Sequence, residues 1–266
     1  MSIRHYTPRR RRHGISQRAK LALGGALALT ILLQMSYPLI EGDALTVVTI
    51  ATVYMGALAM LLHAYLSYGA KYLSRYFLMT VLFGYFIEFI GVHTGWPFGV
   101  YSYSSTLGFD IFGVPLVVPF AWVMMVHPTL VAARRMTTKW TFLYGAFLLA
   151  GWDLFLDPQM VDAGRWTWEI TGATIPFIDN VPLSNYFGWL LASMTIIALL
   201  NVTLPFERRK ESANLSAVTI LLAWVLFSGI VGNIFFFGHP GLAFLGAIGF
   251  GAFAAPFIYK SALGES

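Results

Sequence analysis

The residues best suited to chemistry in this chain are acids set among aromatic rings in apolar surroundings. In WDLFLDPQMVDAGRWTW (152–168), Asp153, Asp157 and Asp162 stand with Trp152, Trp166 and Trp168, and the stretch begins inside an apolar run. Glu88 holds a comparable place in EFIGVHTGWPFGVYSY (88–103), ahead of Trp96, Tyr101 and Tyr103. A carboxyl group near lipid loses solvation of its charged form, so it can stay a neutral acid at neutral pH and donate a proton. A second carboxylate nearby leaves one proton to be held between the two, the arrangement of a paired acid and base. Indole and phenol rings offer electron-rich faces that stabilise a cation and stack on a flat apolar chain. Together these groups suit protonation of an alkene. Each has a plainer use as well: Trp and Tyr gather at membrane interfaces, and a buried acid can simply pin two helices together.

Spacing relates the acids to one another. Asp157 lies one helical turn from Asp153 on the same face. Glu88 precedes His93 by five residues, and Asp153 precedes Pro158 by five. If a helix ends at each of those two positions, both carboxyl groups sit roughly 7 Å below a helix end at about 1.5 Å per residue. Glu88, Asp153 and Asp157 are then the candidate catalytic acids, converging on one pocket near the outer surface. Asp153 or Glu88 serves as donor, and Asp157, nearer solvent, takes a proton from an attacking water; the residue types leave the division of roles open. The candidate substrate contacts are Trp96, Tyr101, Tyr103, Trp152, Trp166, Trp168, Asn185 and Trp189. Asn185 has two readings, positioning water with Tyr186 or capping the sixth apolar helix, and the cap is the simpler.

Composition says what holds these side chains. With 58% hydrophobic and 11% charged residues and a mean hydropathy of +0.69, the 266-residue chain lacks the polar surface of a soluble globule. Apolar runs long enough to cross hydrocarbon recur at 21–37, 44–68, 77–92, 111–133, 140–156, 186–206, 213–237 and 241–259. The expected fold is therefore an all-α, polytopic membrane bundle of about eight transmembrane helices. A basic tail (1–20) precedes a single transmembrane domain (21–260), whose candidate catalytic region is 77–206, and a short tail (261–266) follows. Lys and Arg cluster in the N-terminal tail and at every second connection, with Arg165 alone on the other side. The positive-inside rule then predicts a multi-pass protein of the cell membrane with both termini cytoplasmic and the 93–110 and 157–185 loops outside. The arginines at 9–12 read as a topology determinant at the membrane lipid surface rather than a nucleic-acid site.

The chain also resembles itself. GVYSY (99–103) matches GRWTW (164–168) at an offset of 65, Glu88 maps onto Asp153 at the same offset, and VPLVVPFAW (114–122) matches VPLSNYFGW (181–189) at 67. This pattern predicts a duplicated two-helix unit, helices 3–4 and 5–6, related by an axis along the membrane normal with shared sites near it.

The segments EFIGVHTGWPFGVYSY, GVPLVVPFAWVMM (113–125), WDLFLDPQM (152–160) and NVPLSNYFGW (180–189) resemble the membrane carotenoid hydratases of the CruF type, over roughly residues 77–206. The resemblance implies water addition to the terminal double bond of an acyclic carotenoid end group, with a lipophilic polyene as substrate and no redox cofactor. Neither cofactor nor metal is expected from the residues themselves: the histidines show no close helical pairing, and with no cysteine there is no thiolate chemistry. The small-residue run GLAFLGAIGFGAFAA (241–255) suits helix packing and offers a contact for a second copy or for other enzymes of the pathway. Carotenoid end-group cyclisation begins with the same protonation, and a proton-coupled transporter would also place acids between duplicated helices; both stay open at this point. Prenyl transfer fits poorly because the outer side has only Arg165 to meet a diphosphate, and a retinal photoreceptor is disfavoured because every lysine lies at a helix end.

Overall fold

In hydrocarbon a backbone amide has no partner except within its own segment, so long apolar runs fold as helices. The computed structural model describes residues 15–206 and 215–264. The arginines at 9–12, the basic cluster at 208–210, and Glu207, Glu211 and Glu265 lie outside the described residues. The helices are α1 (Gln17–Ser36), α2 (Gly42–Tyr68), α3 (Ala70–Thr94), α4 (Val117–Met136), α5 (Thr141–Asp162), α6 (Leu183–Thr203), α7 (Ser216–Phe235), α8 (Pro240–Gly249) and α9 (Gly251–Ala262).

Among the described residues six helices are long and apolar enough to cross a membrane: α1 with the short turn after it, α2, α3, α4, α6 and α7. The pair α8 and α9 makes a seventh if it counts as one span, although it is bent by 59°. By length and apolarity alone, the described helices thus supply six or seven of the eight spans expected. The run at 241–259 is broken at Phe250, where the chain lies against the backbone of α5 at Gly151. The fifth run is helical but falls outside the apolar set, because it carries Asp153, Asp157 and Asp162. It also continues through Pro158 to Asp162, so the helix end expected at Pro158 is corrected.

Another correction concerns the fourth run, whose helix begins at Val117 rather than 111. Residues before it form a hairpin of β2 (Asp110–Ile111) and β3 (Val114–Pro115), in which Gly113 (φ +79°) takes the left-handed turn and its N–H donates to Asp110 Oδ1 at 2.9 Å. Pro115 therefore precedes the helix, and Pro119 sits in its first turn, where a missing N–H leaves no bond unmade. Of Pro115, Pro119 and Pro128, only Pro128 is interior to α4.

The helical fold is capped at one end by short ribbons, all formed in connections between helices. β1 (Tyr101–Tyr103) pairs antiparallel with β4 (Trp166–Trp168), and β5 (Thr174–Ile175) pairs with β6 (Ile178–Pro182). The register of the first ribbon is Tyr101 with Trp168, Ser102 with Thr167 and Tyr103 with Trp166, symmetric about its central pair. The two self-similar motifs are thus hydrogen-bonded to each other. Beneath them α4 is the most enclosed of the candidate spans, packed against α2, α3, α5, α6, α7 and α9.

Candidate active site

Helix α3 buries one face, with Tyr72, Tyr76, Thr80, Gly84 and Glu88 recurring every fourth residue. Gly84 is small for a reason: a Cβ there would lie 3.0 Å from Trp122 Cγ, so its absence lets the indole rest on α3. Trp122 Nε1 then donates to Glu88 Oε1 at 3.2 Å. Tyr101 and Tyr103, two apart in β1, share a face of the strand. Their hydroxyls both donate to Glu88 Oε2, at 2.6 and 2.7 Å. Burial, and after it the Glu88 charge, pushes both phenols above their usual range, so they remain protonated donors.

On α5 the i, i+4 relation brings Asp153 and Asp157 to one face, and both are buried. The amide of Asn185 donates to Asp153 Oδ2 at 3.2 Å and to Asp157 Oδ2. The capping role expected of Asn185 is corrected: Pro182 precedes α6, no side chain caps that helix, and Asn185 is turned inward to the acids. Asp153 Oδ1 is buried without a hydrogen-bond partner.

These groups border a cavity of about 480 Å³, large enough for a small ligand or one end of a long one. Glu88, Asp157, Asn185, Trp152, Trp166, Trp168, Trp189, Tyr101 and Tyr103 all line it. Asp153 does not; it stands behind Asp157 and joins the site through Asn185. The helix ends explain the difference from the depth expected. Glu88 lies six residues before the end of α3, and Asp157 five before the end of α5, whereas Asp153 lies nine before it. Counted from its own helix end, Asp157 rather than Asp153 matches Glu88. Trp96 also departs from expectation: it is 57% exposed and outside the cavity wall, because the chain turns outward at Gly95 (φ +73°).

Two features were missed in the sequence. Trp122 makes the Glu88 bond and stacks on Trp189, a role signalled only by their matching places in the VPL motifs. His63 Nδ1 and His127 Nε2 lie 2.9 Å apart in the buried core, joined across α2 and α4, where spacing along one helix gave no hint. Among the described residues no group of three or more His, Asp or Glu side chains stands ready to hold a metal ion.

A family model described as "Carotenoid biosynthesis protein" matches residues 48–253, which take in every acid and ring of the site. The chain belongs to the carotenoid biosynthesis protein family. A relative of this family member is a bisanhydrobacterioruberin hydratase from Haloarcula japonica, 34% identical over 125 residues. That match covers 44% of this chain and 41% of the relative, less than half of either. No solved structure matches the chain.

Proposed function

We propose that this family member is a hydratase that adds water across the terminal double bond of an acyclic carotenoid end group, using its own carboxyl groups and no cofactor. The observation that carries the reading is one apolar cavity with Glu88 and Asp157 on its wall and indole and phenol rings around them. The hydratase relative supports the same reaction class.

Hydrogen bonding divides the acids. Glu88 receives three donors, from Tyr101, Tyr103 and Trp122, and an indole N–H can only donate, so the cluster suits a carboxylate. Asp153 and Asp157 share one amide. Two carboxyl groups that close hold a proton between them. The Asp153–Asp157 pair is accordingly the donor, with Asp157 delivering the proton from the cavity wall to the less substituted alkene carbon.

The resulting tertiary cation lies among the faces of Trp152, Trp168 and Trp189. Water attacks it, forming the carbon–oxygen bond, and loses a proton to the Glu88 carboxylate; that proton returns to the aspartate pair through water, restoring the acids. The product is a tertiary alcohol. The ribbon of β1 and β4, on the outer side with both chain termini cytoplasmic, limits bulk water at the cation.

Expression in a host that accumulates lycopene tests this directly. A pigment heavier by one water supports hydration, an isomer of unchanged mass would mean cyclisation, and unaltered pigment would leave transport.

A further inference from the structure

The cavity has two unlike sets of lining residues. One is polar, with Glu88, Asp157 and Asn185; the other comes from α1, the turn after it, and α7. In the second set Met35, Leu39, Phe227 and Phe236 line the cavity and yet are 54%, 81%, 58% and 59% exposed. Cavity and outer surface are therefore continuous between α1 and α7. All four exposed side chains are apolar, a surface chemistry that suits lipid better than water.

Size decides how such a site could be used. The cavity of about 480 Å³ has lining that runs from the acids on α3 and α5 to residues of α1 and α7. An acyclic carotenoid is on the order of 30 Å long, comparable to the hydrocarbon thickness of a bilayer. A shaft that long can reach from the acids to the apolar opening, where it leaves the protein without meeting water.

We propose that the gap between α1 and α7 is a binding site for the polyene shaft. The terminal alkene threads in from lipid until it reaches the acids, and the far end stays in the bilayer. Gln34 Oε1, accepting from Trp224 Nε1 at 2.5 Å, ties the two helices beside this opening. The inference rests on the hydratase reading above and extends it. Because the far end is never enclosed, the enzyme handles one end at a time and does not distinguish what the other end carries.

The test pairs a long substrate with a short one. Purified protein in phosphatidylcholine vesicles is given lycopene or myrcene, a small terpene with the same isoprenoid end. Ser228 lines the cavity on α7, and Ser228→Trp would narrow the opening beside it, through which a short terpene still passes but where a long shaft can no longer rest during turnover. Lycopene hydration should fall about a hundredfold while myrcene hydration stays within about twofold, since only the shaft loses its place. Equal loss on both substrates, or no loss on either, overturns the portal. A wild type that hydrates neither removes the hydratase reading and the portal with it, an outcome distinct from those two.

A second arm is independent of how the Trp variant folds. The chain has no cysteine. A Ser228→Cys protein can thus be loaded at one place with a bulky, reducible thiosulfonate adduct. Loading should stop lycopene hydration, reduction should restore it, and myrcene hydration should change little throughout. Unchanged lycopene hydration in the loaded protein counts against the proposal.

Discussion

Trp122 and Trp189 stack face to face, their ring centroids 4.6 Å apart and their planes 7° from parallel. Each closes one of the two VPL motifs, and Trp152 meets Trp189 edge-on at 6.1 Å. The indoles thereby link the helix that carries Glu88 to the helix that carries the aspartate pair. All three line the cavity together with Glu88 and Asp157.

Trp122→Phe should test that link. It keeps an aromatic ring but deletes the N–H that Glu88 accepts, and a hydrogen bond to a charged group contributes roughly 1.5–3 kcal/mol. Turnover of lycopene in vesicles should drop about ten- to hundredfold. Trp189→Phe leaves the bonds to Glu88 in place and should lose less. The reverse order would contradict the role given to Trp122.

The aspartate pair predicts a second ranking. Asp157→Asn and Asp153→Asn each remove the shared proton, and general acid catalysis contributes on the order of 10²–10⁴ in rate. Both should abolish hydrated pigment in a lycopene-producing host while the protein still inserts in the membrane. Asn185→Leu keeps both acids but removes the amide between them, so hydration should fall without vanishing. Normal pigment from Asp153→Asn would take that residue out of the mechanism.

Alkaline pH should weaken the ribbon over the site. Tyr101 and Tyr103 are raised by burial, so between the ordinary phenol range near 10 and their higher folded values the unfolded chain has released protons that the folded one retains. Their contribution to stability is whole below about pH 10 and declines above it. A protein with Tyr101→Phe and Tyr103→Phe lacks those phenols. Its thermal midpoint in detergent should lie below wild type at neutral pH, with the gap narrowing as pH rises beyond about 10. A gap that widens with pH would reverse the sign.

Close backbone approach should make one glycine intolerant. A Cβ on Gly151 would lie 2.7 Å from Phe250 N and 2.8 Å from Gly249 O, backbone atoms that cannot swing aside. Gly151→Ala should cost roughly 1–3 kcal/mol by overpacking, read as a lower Tm in detergent. Gly24 has open space around the same position, and Gly24→Ala should leave Tm unchanged or slightly raised.

How much of this was legible beforehand follows from the range of each interaction. Helix α2 was readable at 44–68 because an apolar run in lipid has only its own turns to bond with. The acids were readable because charge is rare in such runs, and the relation of Asp153 to Asp157 because i and i+4 always share a face. Where a helix stops against another element was not readable. Pro158 looks like an end, yet α5 continues to Asp162, and that one turn exchanges Asp153 for Asp157 at the cavity wall.

The sequence by itself determined that this is a helical membrane protein with its acids and indoles gathered near helix ends, since hydropathy and one-helix spacing are local properties of the chain. Only the tertiary structure decided that Glu88 is met by Tyr101, Tyr103 and Trp122, that Asn185 bridges the aspartates, and that the two aromatic motifs pair with each other. Those contacts join residues on different helices and loops. Packing across the bundle, through small residues such as Gly84 and stacked rings such as Trp122 on Trp189, sets them.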